Sequence, residues 1–264
     1  MTYKRIIIGV IALWATVCLY GQESEVSWEK SRSTLFAVGA VDMLDTYLSP
    51  EKYKGVEFRL FSQNRKTRNA WVRTIVNQGS LVFGHNRADN NDELGGSYEF
   101  HYHLRREWTL APEWTVEAGG GAQGSIGFLY NMRNSNNPAQ ARFSVTLNPS
   151  VATHYNFRLF KRSVRLHYEA SAPLLGLMFS PNYGQSYYEI FGRGNYDRNI
   201  VPTTIGATPS LRHMLTFDIP LSRKPTVRTT LRIGYLGDYW QAKVNNLKYH
   251  QYSHLLVVGW TKRF

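Results

Sequence analysis

The sequence is poor in cysteine, in acidic residues and in long apolar runs. Its only cysteine among 264 residues is Cys18, which excludes a scaffold held together by disulfides. The 19 acidic residues are outnumbered by 31 Lys and Arg, for a net charge of +12. With 43% apolar and 19% charged residues, the chain can fill one large domain or two small ones, which excludes a disordered tail.

The longest apolar run belongs to a targeting segment. Lys4 and Arg5 precede apolar residues 6–19, and polar residues 22–24 follow. This order is typical of a secretory signal peptide, and about 14 apolar residues are too few for a membrane-spanning helix. We predict cleavage after Gly21, which leaves a mature domain of residues 22–264. A lipid anchor on Cys18 is the alternative, although Val17 stands where a small residue normally precedes a lipidated cysteine.

Beyond the leader, apolar and polar side chains alternate with a period of two. Residues 98–104 alternate aromatic or aliphatic side chains with charged ones, and residues 56–60, 164–170 and 227–235 repeat the pattern. The alternating segments exceed the usual strand length of about five or six residues in soluble proteins. They are long enough to cross a bilayer at a tilt, and the aromatic content of 14% suits a surface that meets two membrane interfaces.

The alternation predicts an all-β fold, a closed antiparallel transmembrane up-and-down β-barrel. Backbone groups inside a bilayer must be paired within the protein, so the sheet must close without a free edge. Ten strands are predicted, at residues 34–41, 54–64, 70–84, 95–107, 113–130, 140–155, 163–179, 207–219, 226–237 and 249–263. Eight or twelve strands remain possible, because residues 187–191 could add a strand and the first strand is weak.

The predicted connections alternate between short and long. Short turns fall at residues 65–69, 108–112, 156–162 and 220–225, and longer loops at 42–53, 85–94, 131–139, 180–206 and 238–248. Outer-membrane barrels have short periplasmic turns and longer surface loops. We therefore expect a bacterial outer-membrane protein with both termini in the periplasm and outer-membrane lipid, including lipopolysaccharide, around it. Nucleic acid is not an expected partner, because a secreted chain would not meet it.

The carboxyl end has the pattern of a recognition signal. Leu256, Val258 and Trp260 share one face of the last predicted strand with Tyr252 and with the final Phe264. This resembles the terminal aromatic strand by which assembly machinery recognises outer-membrane barrels. The resemblance implies the barrel assembly machinery as a partner.

Four loop segments resemble a narrower group of proteins. Residues 131–142 read NMRNSNNPAQAR, 180–192 read SPNYGQSYYEIFG, 243–254 read KVNNLKYHQYSH, and 44–55 read LDTYLSPEKYKG. Together they are similar to a family of secreted Bacteroidota β-barrel proteins known only as a domain of unknown function. The resemblance spans essentially the mature chain and implies an outer-membrane setting, but it implies no substrate, reaction or partner.

One candidate metal site lies on a predicted strand. His101 and His103 are two residues apart, so they share a face with Glu99. The favoured alternative is a lumen packed with paired charges, because a narrow barrel fills its interior with side chains and buried charge must be paired. The other members of that lumen would be Arg59, Arg105, Glu117, Arg165, His167, Glu169, Arg212 and Arg232. No cofactor is expected.

The loops contain the candidate binding residues, which are mostly amides and tyrosines. They are Asn134, Asn136, Asn137, Gln140, Tyr183, Gln185, Tyr187, Asn245, Asn246 and His250. Amide side chains recognise sugars and lipid headgroups through hydrogen bonds. They are equally suited to holding loops together through turn and capping bonds.

One set of loop residues is a candidate for catalysis. Ser186, Glu189 and His250 are the residue types of a lipase-like relay, if two loops bring them together. Adjacent Ser253 and His254 are excluded as a pair, because neighbours on a strand face opposite sides. We therefore expect a non-enzymatic binding or complex-forming envelope component, with another outer-membrane protein as a possible partner. The alternatives are a lipid-modifying hydrolase and a narrow channel.

Overall fold

A computed structural model describes residues 29–264 except 136, 160–161 and 223–228. The predicted signal peptide lies outside the described residues. The described chain forms long strands, two short strands and one turn of helix at Tyr188–Gly192. The strands are β1 Glu29–Asp45, β2 Lys52–Arg68, β3 Trp71–Asn86, β4 Asp92–Ala111, β5 Trp114–Asn131, β6 Ala139–Leu159, β7 Arg162–Ser171, β8 Leu175–Phe179, β9 Ile200–Thr204, β10 Leu211–Pro220, β11 Thr229–Val244 and β12 Leu247–Arg263.

The long strands close into an antiparallel barrel. From β1 to β7 each strand pairs with the next, β7 pairs with β10, and β10, β11 and β12 continue the wall. The last strand pairs back onto the first, with Leu35 opposite Gly259. The prediction of an all-β, closed, ten-stranded antiparallel barrel is therefore confirmed, and the alternatives of eight and twelve strands are wrong.

The two short strands extend the wall on the loop side. Residues 144–147 of β6 pair with β8, which pairs in turn with β9. Along the wall, β8 continues the line of β7 after an interruption at residues 172–174. The single strand predicted at 163–179 is thus divided in two, and β9 was not predicted.

Two predicted local structures are wrong. Residues 187–191, considered as an extra strand, contribute instead to the helical turn Tyr188–Gly192. The long loop predicted at 238–248 is a tight hairpin, because β11 and β12 extend until only Asn245 and Asn246 separate them. Both asparagines have positive φ, 49° and 62°, as the two central residues of a type I′ turn require.

The barrel wall has an apolar outer face and a polar inner face. On the outer face, Phe58 and Leu256 are 52% and 71% exposed, and similar side chains line the neighbouring strands. On the inner face, the same strands bury charged residues such as Glu57 and Arg59. The described part of the chain contains no helix that is long and apolar enough to span a membrane.

The first and last described residues lie at the opposite end of the barrel from the longer loops. The Phe264 amide donates to the Lys30 carbonyl at 2.8 Å, so the first described strand and the last residue share one end. The turn at Asn69 and Ala70 lies at this same end, which we name the short-turn end. The loops at 46–51, 87–91 and 180–199, and the described residues 132–135 and 137–138, lie at the other end, which we name the loop end.

Candidate functional site

The lumen at the short-turn end is filled by a charged network around Glu117. Strand alternation turns this carboxylate inward, and its side chain is 0% exposed. It accepts hydrogen bonds from Arg105 Nε at 3.0 Å and His154 Nε2 at 2.7 Å, and Arg65 Nη1 lies 2.6 Å away. Arg105 also donates to Thr74 Oγ1 at 3.1 Å. The network therefore links β2, β4, β5 and β6 inside the lumen.

Further ion pairs continue this filling. Arg232 donates to both oxygens of Asp218 at 2.6 and 2.8 Å, and to Gln63 at 2.8 Å. Arg59 and Arg212 both contact Asp238, from different strands of the wall. The inward charges are thus paired across the lumen, as expected for buried ions.

The two histidines considered as metal ligands lie on the inner face of β4. His101 is 1% exposed and its Nε2 lies 3.1 Å from Glu99 Oε2. The His103 ring stacks on that of His101, with 6.1 Å between ring centroids. Among the described residues, no group of three or more His, Cys, Asp or Glu side chains could hold a metal ion.

A cavity opens above the charged network, toward the loop end. Its volume is about 110 Å³, and its lining is rich in hydroxyl and amide side chains. One wall is the inner face of β6, from which Gln140, Arg142, Ser144, Thr146 and Asn148 project at alternate positions. The lumen is therefore packed more tightly at the short-turn end, where a cavity of about 20 Å³ lies among the charged side chains, than at the loop end.

Three polar groups on this wall are buried without a hydrogen-bond partner. They are Arg142 Nε, Thr146 Oγ1 and Asn148 Oδ1. Asn148 is only 3% exposed, and its amide nitrogen already donates to Gln123 Oε1 at 3.0 Å. Unpartnered buried polar atoms also occur elsewhere in the described lumen, among them His103 Nδ1 and Thr216 Oγ1. Because buried polar groups are normally paired, the three on this wall are unused hydrogen-bonding capacity beside the cavity.

The guanidinium of Arg142 is held in place inside the cavity. Its Nη1 donates to Gln251 Oε1 at 3.0 Å, and its Nη2 lies 3.5 Å from Asp45 Oδ2. The group also lies over the Trp240 ring, 5.4 Å from the centroid. These contacts leave the Nε–H of Arg142 as a fixed donor.

Of this wall, sequence reasoning selected only Gln140. The signal was available in residues 140–148, where polar residues alternate strictly with Ala141, Phe143, Val145 and Leu147. Alternation identifies which side chains face inward, but it does not show whether the space that they face is filled or empty.

The predicted binding residues of the shorter loops hold the loops together. Asn134 donates to the Leu48 carbonyl at 2.9 Å, which ties two loops, and accepts from the Asn137 amide at 3.1 Å. Asn245 donates to the carbonyls of Ser180 and Arg198 at 3.0 and 2.9 Å. Asn246 completes the hairpin turn, and Asn136 lies outside the described residues.

The long loop at 180–199 is organised around Gln185. Its Oε1 accepts from Asn199 Nδ2 at 2.7 Å, and its Nε2 donates to the Asn195 carbonyl at 3.0 Å. Tyr183 projects from this loop and is 75% exposed.

Tyr187 joins the long loop to the cavity wall. Its hydroxyl donates to Gln140 Oε1 at 3.0 Å and accepts from the Ala141 amide at 2.7 Å. Burial raises the pKa of the Tyr187 hydroxyl above its usual range, so it stays protonated and able to donate. The loop is thereby fixed beside the upper part of the cavity wall.

Of the three residues considered for catalysis, Ser186 and Glu189 pair with each other, whereas His250 pairs elsewhere. Ser186 donates to Glu189 Oε2 from its hydroxyl at 3.1 Å and from its backbone N–H at 2.7 Å. These two bonds hold the pKa of Glu189 below its usual range. His250 instead contacts Asp42 Oδ1 at 2.8 Å and stacks on Tyr252. Among the described contacts, no hydrogen bond joins His250 to Ser186 or Glu189.

The sequence profile of one protein family, described as "Protein of unknown function (DUF3316)", matches residues 7–264. The chain belongs to this family. The match covers both the barrel and its loops, in agreement with the resemblance noted in the sequence. No curated protein matches the chain.

Several solved structures of other barrels share the general architecture of this DUF3316 chain. The outer membrane protease OmpT from Escherichia coli is 5% identical with a TM-score of 0.47, covering 92% of this chain and 99% of its own. Neisserial surface protein A is 11% identical with a TM-score of 0.35, covering 91% and 100%. The translocator domain of autotransporter NalP from Neisseria meningitidis is 9% identical with a TM-score of 0.40, covering 99% and 96%. At such values the likenesses bear on neither the site nor the function of this chain.

Proposed function

We propose that this chain is a non-enzymatic binding protein of the bacterial outer membrane, which holds its ligand in the cavity at the loop end. The observation that carries the proposal is the division of the lumen. Charged side chains crowd the short-turn end around Glu117, whereas the loop end contains a cavity of about 110 Å³ with unpartnered polar groups on its wall.

The apolar outer face supports the outer-membrane setting. Exposed apolar side chains recur on adjacent strands, and they include Val38, Phe58, Ile233 and Leu256. A continuous apolar band of this kind is unfavourable in water and favourable against hydrocarbon. On this account lipid and lipopolysaccharide surround the barrel, both termini are periplasmic and the loop end faces outward. The exposed Trp260 and Phe264 are available to the barrel assembly machinery.

The side-chain contacts favour binding over the two alternatives. The buried Glu117 network links four strands inside the lumen, which is unfavourable for a channel. A hydrolase of the Ser-His-acid type needs its histidine beside its serine, whereas His250 pairs with Asp42. An outer-membrane protein could still dock on the rigid loops, and it would be recovered in the experiment below.

The experiment fills the cavity with a bulky side chain and measures which co-purifying molecules the protein no longer retains. Ser144→Trp places a large side chain in the lumen, and Val145→Trp, one residue away, places it on the exposed outer face. The full-length chain and both variants are purified from native membranes, and co-purifying lipids, small molecules and proteins are analysed by mass spectrometry. We expect Ser144→Trp alone to lose a bound species. Equal recovery from both variants would contradict the proposal.

A further inference from the structure

The barrel wall is interrupted beside the cavity. Ladder pairing between β7 and β10 stops at Ser171 opposite Arg212. Pairing resumes toward the loop end where the Ile205 amide donates to the Leu174 carbonyl at 3.0 Å. Between these two points lies Pro173, which has no N–H to donate.

The chain segment opposite Pro173 forms a local turn and does not continue the pairing between the neighbouring strands. The amides of Ala207 and Thr208 both donate to the Thr204 carbonyl at 2.9 Å, which forms a local turn. The Ala207 carbonyl accepts from the Lys243 amide at 2.9 Å, on the side away from β7. Among the described residues, no backbone hydrogen bond joins Pro173 to the segment 206–210. We name this interruption, bounded by Ser171, Pro173, Thr208 and Ser210, the side opening.

The side opening lies between the cavity and the apolar face of the barrel. All four of its bounding residues line the cavity. Around it on the outer face lie exposed aliphatic side chains, namely Leu174, Leu175, Ile205 and Leu211. A molecule that occupied both places would therefore have a polar part inside the lumen and an apolar part among lipid chains.

The charges of the cavity favour an uncharged polar group. Asp238 is paired with Arg59 and Arg212, and Arg142 has Asp45 beside it. Glu99 accepts hydrogen bonds from Gln78 and Gln123 and lies beside His101. What remains unpartnered is a fixed donor at Arg142 Nε, an acceptor at Asn148 Oδ1 and a hydroxyl at Thr146. Hydroxyl groups can both donate and accept, so a saccharide matches this set, whereas a phosphate or an ammonium group does not.

We propose that the cavity binds the uncharged saccharide headgroup of an amphiphile, which enters sideways from the membrane through the side opening. This inference rests on the proposed function, and it names the ligand class of the same cavity. The saccharide hydroxyls pair with Thr146, Asn148 and Arg142, while the hydrocarbon tail stays outside against the aliphatic residues that surround the opening.

The test uses dodecyl maltoside as the probe, below its micelle concentration. The full-length chain is placed in phosphatidylcholine nanodiscs, and binding of labelled probe is measured by equilibrium dialysis against empty nanodiscs. Dodecylphosphocholine has the same tail without the sugar, and maltose has the sugar without the tail. We expect dodecyl maltoside to bind more tightly than either.

A matched pair of variants links binding to the cavity wall. Thr146→Val removes a hydroxyl that has no protein partner, so the fold should be unaffected and affinity for dodecyl maltoside should fall about 3- to 10-fold. Thr216→Val removes another unpartnered buried hydroxyl, on β10 and outside the cavity lining. It should leave the affinity unchanged.

Two kinds of result would overturn the inference in different ways. Equal affinity for dodecylphosphocholine, or no effect of Thr146→Val, would overturn the saccharide assignment. Equal affinity for free maltose would overturn entry from the membrane. Either result could occur while Ser144→Trp alone still loses a bound species, so the inference can fail while the proposed function stands.

Discussion

Glu117 shows how single residues determine the inside of this barrel. Its carboxylate contacts Arg65, Arg105 and His154 from three different strands. Charges at such depth are tolerated only as members of a paired set, since the desolvation of an isolated ion is costly. The alternating sequence predicts that these residues face inward. Their partners could not be predicted, because partner choice depends on the register between strands.

Removing the Glu117 carboxylate should be strongly destabilising. Glu117→Ala leaves buried Arg105 and its neighbours without their counter-charge, and we expect unfolding free energy to fall by about 3–5 kcal/mol. Urea unfolding of the protein in lipid vesicles, followed by tryptophan fluorescence, measures the change. The control is Glu113→Ala at the exposed short turn before β5, with an expected change within about 0.5 kcal/mol. Equal stability of the two variants would contradict this account of the lumen.

At the scale of the element, the sequence predicts well which segments form strands, but it predicts the ends of those strands less well. Residues 238–244 contain no strong apolar alternation, yet they form the end of β11 because β12 pairs with them up to the Asn245–Asn246 turn. Conversely, Pro173 interrupts the single strand predicted at residues 163–179, and the turn at 204–208 moves the start of the next wall strand from the predicted residue 207 to Leu211. Pairing with a neighbour, which local sequence does not reveal, determines both outcomes.

Asn245 of the hairpin turn also anchors the loop at 180–199. This anchoring can be tested separately from the backbone conformation of the turn. Asn245→Gly keeps the positive φ but removes the bonds to the Ser180 and Arg198 carbonyls. We expect faster hydrogen exchange across the loop at 180–199, with an unchanged melting temperature of the barrel. Asn246→Gly, which keeps those bonds, should exchange like the native chain. Equal exchange in both variants would show that Asn245 does not hold the loop.

The helical turn at Tyr188–Gly192 should be sensitive to acid. Hydrogen bonds from Ser186 hold the pKa of Glu189 below its usual range, so the carboxylate form stabilises the folded loop. That stabilisation is present above the usual glutamate pKa and is lost as pH falls through the lowered folded-state value. Hydrogen-exchange protection of the Ile190 amide, which donates to the Ser186 carbonyl, should fall over this range. Glu189→Gln should remove the pH dependence, and a dependence that persisted in it would contradict the assignment.

For the whole molecule, alternation and chain length were enough to predict a closed barrel, but the cavity was beyond sequence reasoning. In the sequence, the inward-facing positions of β6, such as Ser144 and Thr146, have the same polar pattern as those of the other strands. Whether they meet packed side chains or empty space depends on the side chains opposite, from strands far away in sequence. The catalytic candidates illustrate the same limit, since Ser186 and His250 acquire their partners only through the three-dimensional fold.

The central claim is that lipid covers the apolar outer face while the inner face is shielded from it. Spin labels placed one at a time along residues 98–104 of β4 test this claim directly in lipid vesicles. Labels at Phe100 and Tyr102 should be accessible to dissolved oxygen and inaccessible to a polar nickel relaxant, and labels at His101 and His103 should be shielded from oxygen. Access of the nickel relaxant to Phe100 and Tyr102, or equal oxygen access at all positions, would contradict the account.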